Sequence, residues 1–261
     1  VRVSETHRGR EGRVEEVLQR AKQEVVGRLV RKRGIDSVVL EGGVQSNVLI
    51  PRGQKGGAKT GDMVRVEIVK HPTLRTDAIG RVARVVGRFD DPGMDTTIAI
   101  LSHNLPYEWP PEIEAYVDEL PTHVPARAKR GRKDLRKLPL ITIDGADAKD
   151  YDDAVYCESK GEGWRLIVAI ADVSYYVKPD TDIDTEARAR GTSVYFPDQV
   201  IPMLPEALSN GLCSLNPHVD RLCLCCDMTV SSTGQVTRSR FYDGVMRSAE
   251  RFTYEETFQL L

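Results

Sequence analysis

No apolar run in this 261-residue chain approaches the roughly 20 residues that a helix needs to span a bilayer. No secretory leader pattern opens at Val1. The absence of an initiator Met there gives the expectation of a processed or excised piece. Aromatic residues make up only 6% of the chain, and no Phe, Tyr or Trp occurs between Glu24 and Arg88. That stretch has no stacking platform for nucleic-acid bases. Only five cysteines are present: Cys157, Cys213, Cys223, Cys225 and Cys226. Cys223 and Cys226 make one C-x-x-C, but no second pair or His-x-x-x-His partner accompanies it, which argues against zinc. The odd count without a leader predicts a reduced, cytoplasmic protein with no membrane partner. The formal net charge of −2 gives no overall basic field toward nucleic acid.

What the chain does have is one acidic stretch. Leu140 to Ile143 is rich in β-branched residues and reads as a strand, which stops at the turn pair Asp144-Gly145. Asp147, Asp150, Asp152 and Asp153 follow before a second strand at Ala154 to Cys157. Like charges held that close repel unless a cation neutralises them. Oxygen ligands without nearby His favour Mg²⁺, Mn²⁺ or Ca²⁺. An EF-hand fails in both registers: from Asp144, position three is Ala146, and from Asp150, position five is Ala154. The alternative is a solvated acidic turn, since Asp is a common turn residue.

The run Asp144-Gly-Ala-Asp-Ala-Lys-Asp150-Tyr-Asp152-Asp153-Ala resembles the signature of the RNase II/RNase R (RNB) family of 3′→5′ exoribonucleases. Ile167 to Ser174, Arg190-Gly-Thr-Ser-Val-Tyr195-Phe-Pro and Ile201-Pro-Met-Leu-Pro-Glu206 resemble later parts of its catalytic domain, in order. Gly145, Asp147 and the N-terminal strand pattern point to its RNase R branch. The resemblance implies hydrolysis of single-stranded or structured RNA to nucleoside 5′-monophosphates by a two-metal mechanism. Asp144, Asp150, Asp152 and Asp153 would be catalytic and would hold Mg²⁺, with Mn²⁺ as the alternative. Asp144 and Asp153 would be direct ligands; Asp147 is left as a turn residue. Tyr195 would stack on RNA near its 3′ end, and Asp172 is a candidate support for the site. The family's catalytic arginine has no counterpart up to Leu261; neither Arg247 nor Arg251 matches it by motif. Ribosomes and RNA-decay factors are candidate partners.

The fold implied is mixed: a small all-β OB-like (cold-shock) barrel, then the N-terminal part of an α+β RNB catalytic domain. The boundaries expected are 1–21 for the end of a first barrel, 22–92 for a second, 93–137 for a helical basic linker and 138–261 for the catalytic part. A repeat supports two barrels: Gly12 to Arg20 and Gly80 to Arg88 share G-R-V-x-x-V-[L/V]-x-R. Strands are predicted at 24–31, 36–40, 44–50, 63–69 and from 78, with a turn at Gly42-Gly43. Ile113, Tyr116, Val117 and Leu120 predict a helix between Pro111 and Pro121. Further helices are read at 184–190, 205–210 and from Thr253, where Thr253 and Glu256 have capping-box spacing. Trp164 to Ala171 reads as a strand buried on both faces, and strands follow at 223–230 and 239–246.

Arg127, Lys129, Arg130, Arg132 and Lys133 form a basic run just before the acidic loop and are candidate contacts to RNA phosphates. The rival function, from another class, is a non-catalytic RNA-binding or regulatory module.

Overall fold

Short β-branched runs punctuated by Gly and turn pairs make strands the main regular structure of this protein. The computed structural model describes residues 2–7, 9–13, 15, 24–40, 47–73 and 76–260. They form two units, Val1–Pro106 and Tyr107–Leu261.

In the first unit, β1 (Arg2–Thr6) and β2 (Gly9–Arg13) pair as an antiparallel hairpin. Then β3 (Glu24–Lys32), β4 (Ile35–Leu40), β5 (Val48–Ile50), β6 (Asp62–Lys70) and β7 (Ala78–Arg88) close into a barrel in the order β3-β4-β5-β7-β6. This is the expected OB-like module, filled by Leu29, Val38, Val48, Val64 and Val66. The second copy of the repeat is the barrel's last strand. At its Gly80 a Cβ would lie 2.4 Å from Val66 Cγ1, so the strands approach too closely for any side chain. Most of the first copy, and the Gly42-Gly43 turn, lie outside the described residues.

The alternation read along β6 breaks at its start: Met63 and Val64 are both buried. A register shift between them is the cause. Met63 belongs to a second small core with Val26 and with Met94, Ile98 and Leu101 of α1 (Met94–Ser102). The sequence reading places a linker at 93–137. Residues 94, 98 and 101 instead recur at helical spacing and fasten α1 to the first unit, after Gly93 turns the chain at φ 75°.

The remainder of that stretch belongs to the second unit, where Ile113 of α2 (Pro111–Asp118), Ala128 and Leu135 are buried in one core. There β8 (Lys133–Asp134), β9 (Ile141–Asp144), β10 (Asp153–Lys160), β11 (Gly163–Ala171), β14 (Asp220–Val230), β15 (Val236–Arg247) and β16 (Glu250–Thr253) make a seven-stranded sheet in the order β16-β9-β10-β11-β14-β15-β8. Between β11 and β14 come α3 (Asp182–Arg190) and the two-stranded ribbon of β12 (Val194–Tyr195) and β13 (Val200–Ile201). α3 ends at Gly191, φ 74°. α4 (Tyr254–Leu260) starts on the expected capping box: the Glu256 N–H donates to Thr253 Oγ1 at 3.1 Å, and the Thr253 N–H donates to Glu256 Oε2 at 2.7 Å.

One sheet face carries the core, including Ile167, Ala169, Cys223 and Cys225. Cys226 lies on the other face, so the C-x-x-C pair is split across the sheet, as an odd offset along a strand requires. Burial of β11 on both faces is not what the structure shows. Ile170 is 46% exposed, its register partner Leu224 47%, and Phe241 of β15 71%. The centre of this sheet is antiparallel, an arrangement that tolerates one open face.

That open apolar face predicts association. Sedimentation of the chain should show a mass that rises with concentration. The pair Leu224→Ser and Phe241→Ser should suppress the rise while shifting the urea midpoint little.

Candidate active site

The end of β9 delivers Asp144, and the start of β10 delivers Asp153; the loop between them carries Asp147, Asp150 and Asp152. A segment distant in sequence holds this loop. Buried Ser214 donates its hydroxyl to the Lys149 carbonyl at 3.0 Å and accepts the Tyr151 N–H at 3.0 Å. The Leu215 N–H donates to the Tyr151 carbonyl at 2.8 Å, and the Ala171 N–H to the Asp152 carbonyl at 2.8 Å. Tyr151 is buried, and its hydroxyl donates to the Ala148 carbonyl at 2.9 Å.

The carboxylates sense one another. Burial, then the charge of Asp153, pushes the Asp144 carboxyl above the usual range; Arg251 opposes this, and Asp150 and Asp152 add to it. Asp152 is raised too, by burial of its carboxyl first and then by Asp150 and Asp153, although the residue as a whole is exposed. Asp144 Oδ2 is buried without a hydrogen-bond partner. Asp147 is exposed. Tyr195, 65% exposed on β12, donates its hydroxyl to Asp150 Oδ2 at 3.1 Å. The structure therefore brings Asp144, Asp150, Asp152, Asp153 and Tyr195 to one place.

A bare buried carboxylate oxygen among three further carboxylates is a donor set that fits a hard divalent cation. Among the described residues, no three acidic, His or Cys side chains stand at the spacing of a completed metal site. The fit is thus one of charge and ligand chemistry.

The sequence reading leaves Arg251 without a role. It lies on β16, paired in parallel with β9, and its Nη2 donates to the Gly145 and Ala146 carbonyls at 2.8 and 2.7 Å. Its guanidinium also sits 5.3 Å from the Tyr151 ring centroid. No local spacing signals this contact, because more than a hundred residues separate the partners.

The basic run divides. Arg132 is buried in an ion pair with Asp172 at 2.5 Å, and Asp172 also accepts the Ser174 hydroxyl at 2.7 Å. Burial raises the Asp172 carboxyl, but these two hydrogen bonds outweigh it and leave it below the usual range. Arg132 and Asp172 are thus paired with each other, so the structure joins two residues that the sequence reading placed separately, one as a phosphate contact and one as a support for the site. Lys129 pairs with Asp220 at 2.6 Å. Arg127, Arg130 and Lys133 remain exposed.

A closed OB-like barrel ahead of an α+β unit with a crowded carboxylate loop defines a protein of two modules, a cold-shock-type barrel and an RNB-type domain. Comparison with known proteins agrees: the RNB domain model matches residues 132–261 and the Cold shock domain model residues 40–110. Ribonuclease R of Escherichia coli (strain K12) is 54% identical over 254 residues, which are 97% of this chain and 31% of that protein. Ribonuclease R of Acidithiobacillus ferrooxidans is 48% identical over 263 residues, 99% of this chain and 60% of that protein. A solved structure of Mycoplasma genitalium RNase R in complex with double-stranded RNA superposes with TM-score 0.86 at 27% identity, covering 95% of this chain and 44% of that one. The chain belongs to the RNase II/RNase R (RNB) family and spans from about a third to three-fifths of the length of these curated relatives.

The ion pairs make two predictions. Removing one partner of a buried pair strands the other, so Arg132→Met should lower unfolding free energy by about 3 kcal/mol, read as a drop in urea midpoint. Burial raises the Asp220 carboxyl, but hydrogen bonds from Lys129 and Arg247 more than offset this and hold it at about 2. Its unfolded value is about 3.9. The stability it contributes is therefore present above about pH 4 and lost as pH falls through about 2, amounting to about 2 kcal/mol at neutral pH. Asp220→Asn should be the less stable protein at pH 7, and the two urea curves should converge near pH 2.

Proposed function

We propose that this chain serves a 3′→5′ exoribonuclease that hydrolyses single-stranded or structured RNA to nucleoside 5′-monophosphates. The observation that carries the reading is the unpartnered, buried Asp144 Oδ2 beside Asp150, Asp152 and Asp153. Asp144 and Asp153 would be the direct ligands of two Mg²⁺ ions, or of Mn²⁺, with Asp150 and Asp152 completing the ligand set. Bound there, the cations supply a lowered pKa for the attacking water and charge compensation at the leaving 3′-oxygen.

The rest of the site orients the strand. Tyr195 offers an exposed ring beside Asp150, a sequence-tolerant surface for a terminal base worth roughly 1–3 kcal/mol per stacked base. Arg251 fixes the loop backbone through the Gly145 and Ala146 carbonyls, which keeps Asp144 in its crowded position. The barrel has no aromatic side chain between Glu24 and Arg88, so it guides RNA through backbone contacts. The RNA-bound Mycoplasma genitalium relative supports RNA as the ligand.

The test is release of nucleotides from end-labelled single-stranded RNA in Mg²⁺. Asp152→Asn should slow release by about 10²-fold or more and leave RNA binding intact. Wild-type release by that variant sinks the reading. A salt-sensitive gel shift with no release by the wild-type protein assigns the chain to the rival, a non-catalytic RNA-binding module.

A further inference from the structure

The core-bearing face of the second sheet changes character along its strands. On β11 it passes from Ile167 to Arg165, on β14 from Cys225 to Asp227, and on β15 from Tyr242 to Arg240 and Arg238. The charged end opens into a cavity of about 520 Å³. Five cations line it, Lys133, Lys160, Arg165, Arg238 and Arg240, against two carboxylates, Glu158 and Asp227.

The carboxylates are already engaged. Arg165 donates to Asp227 at 2.9 and 2.7 Å and to Glu158 at 3.0 Å, and Asp227 also accepts the Tyr242 hydroxyl at 3.1 Å. This cluster makes a rigid floor. Around it stands unbalanced positive charge. Lys133 is 4.4 Å from the Tyr242 ring centroid and 3.8 Å from Asp227; Lys160 donates to the Thr229 hydroxyl at 3.4 Å. Among the described residues, Arg238 and Arg240 have no acidic partner within salt-bridge distance; both are exposed.

We propose that this cavity is a second contact for the RNA strand, taking its phosphate backbone; the proposal rests on the function argued above. Arg238 and Arg240 stand two residues apart on one face, about 7 Å, a spacing suited to successive phosphates of an extended single strand. Guanidinium forks match phosphate oxygens bidentately. The cations run across β10, β11, β15 and β8 and do not close around a point, which favours a linear polyanion over a small one. Along β10, Asp153 at its start and Lys160 at its end lie about 23 Å apart at strand rise and, at an odd offset, on opposite faces of the sheet, so a strand reaching from one site to the other must also pass around the sheet. A strand engaged at the acidic loop must therefore be several nucleotides long to reach the cations, while a trinucleotide is too short.

The experiment is fluorescence anisotropy in Mg²⁺ in the Asp152→Asn background, where release is slowed and RNA binding is kept, with a labelled 12-nucleotide and a labelled trinucleotide single strand across a salt series. The protein is this Asp152→Asn parent with and without the double substitution Arg238→Glu, Arg240→Glu. The expected result is about a tenfold or greater loss of affinity for the 12-mer at low salt. The slope of log K against log salt should become shallower by about 1.4, for two lost phosphate contacts. Trinucleotide binding and the thermal melt should be unchanged. A parent that binds the 12-mer, with a double variant of the same affinity and slope, overturns the proposal alone. An equal loss for both RNAs also overturns it, because the effect would then not depend on reach. A parent that binds neither RNA overturns the functional reading as well.

Discussion

Carboxylates gathered at one sheet end push apart, and the second unit is arranged to prevent them from separating. The charge of Arg251 offsets part of this repulsion at Asp144, but the bonds that hold the loop go to its backbone. Ser214, Leu215 and Ala171 bond the backbone of the loop at Lys149, Tyr151 and Asp152, and Arg251 bonds its carbonyls at Gly145 and Ala146. Arg251 contacts backbone oxygens while the side-chain oxygen Asp144 Oδ2 stays bare. Backbone anchoring preserves the repulsion among the carboxylates, seen in the raised Asp144 and Asp152 carboxyls.

The same sheet separates charge of opposite sign by distance. Its acidic end is built at the turn between β9 and β10, and its basic end where the strands extend past the apolar core. Arg165 is shared by Asp227 and Glu158, so four further cations stand around a floor that carries one uncompensated negative charge. A net charge of −2 for the chain conceals this arrangement. What matters for a polyanionic strand is the local sign of charge along its path.

Ion pairing also explains why only part of a basic run in sequence becomes basic surface in space: Arg127, Arg130 and Lys133 stay exposed. Arg132 and Lys129 turn inward to Asp172 and Asp220, which lie some 40 and 91 residues later. A buried guanidinium needs a partner, and the chain supplies one from a distant strand end. Among the described residues, Arg238 and Arg240 have no such partner, and they sit in no conspicuous run. They become neighbours of Lys133 only when β15 pairs with β8.

Features set by neighbours a few residues apart were legible in the sequence. These include the barrel strands, α2, the stop of α3 at Gly191, the capping box of Thr253 and Glu256, and the acidic loop between two strands. Each depends on local periodicity, backbone freedom or turn chemistry, which adjacent residues carry in full. That carboxylates crowd this loop is local information too, whereas the choice of Asp144, Asp150, Asp152 and Asp153 among them is what the family resemblance implies. Only the tertiary structure decided that Met63 turns from the barrel interior to α1, that Arg251 clamps the loop, that Tyr195 meets Asp150, and that one face of β11 stays open. Those outcomes depend on a bulge, a parallel pairing and a ribbon placement. They join residues tens to over a hundred positions apart, and pairing across such distances is chosen by the packing of whole strands.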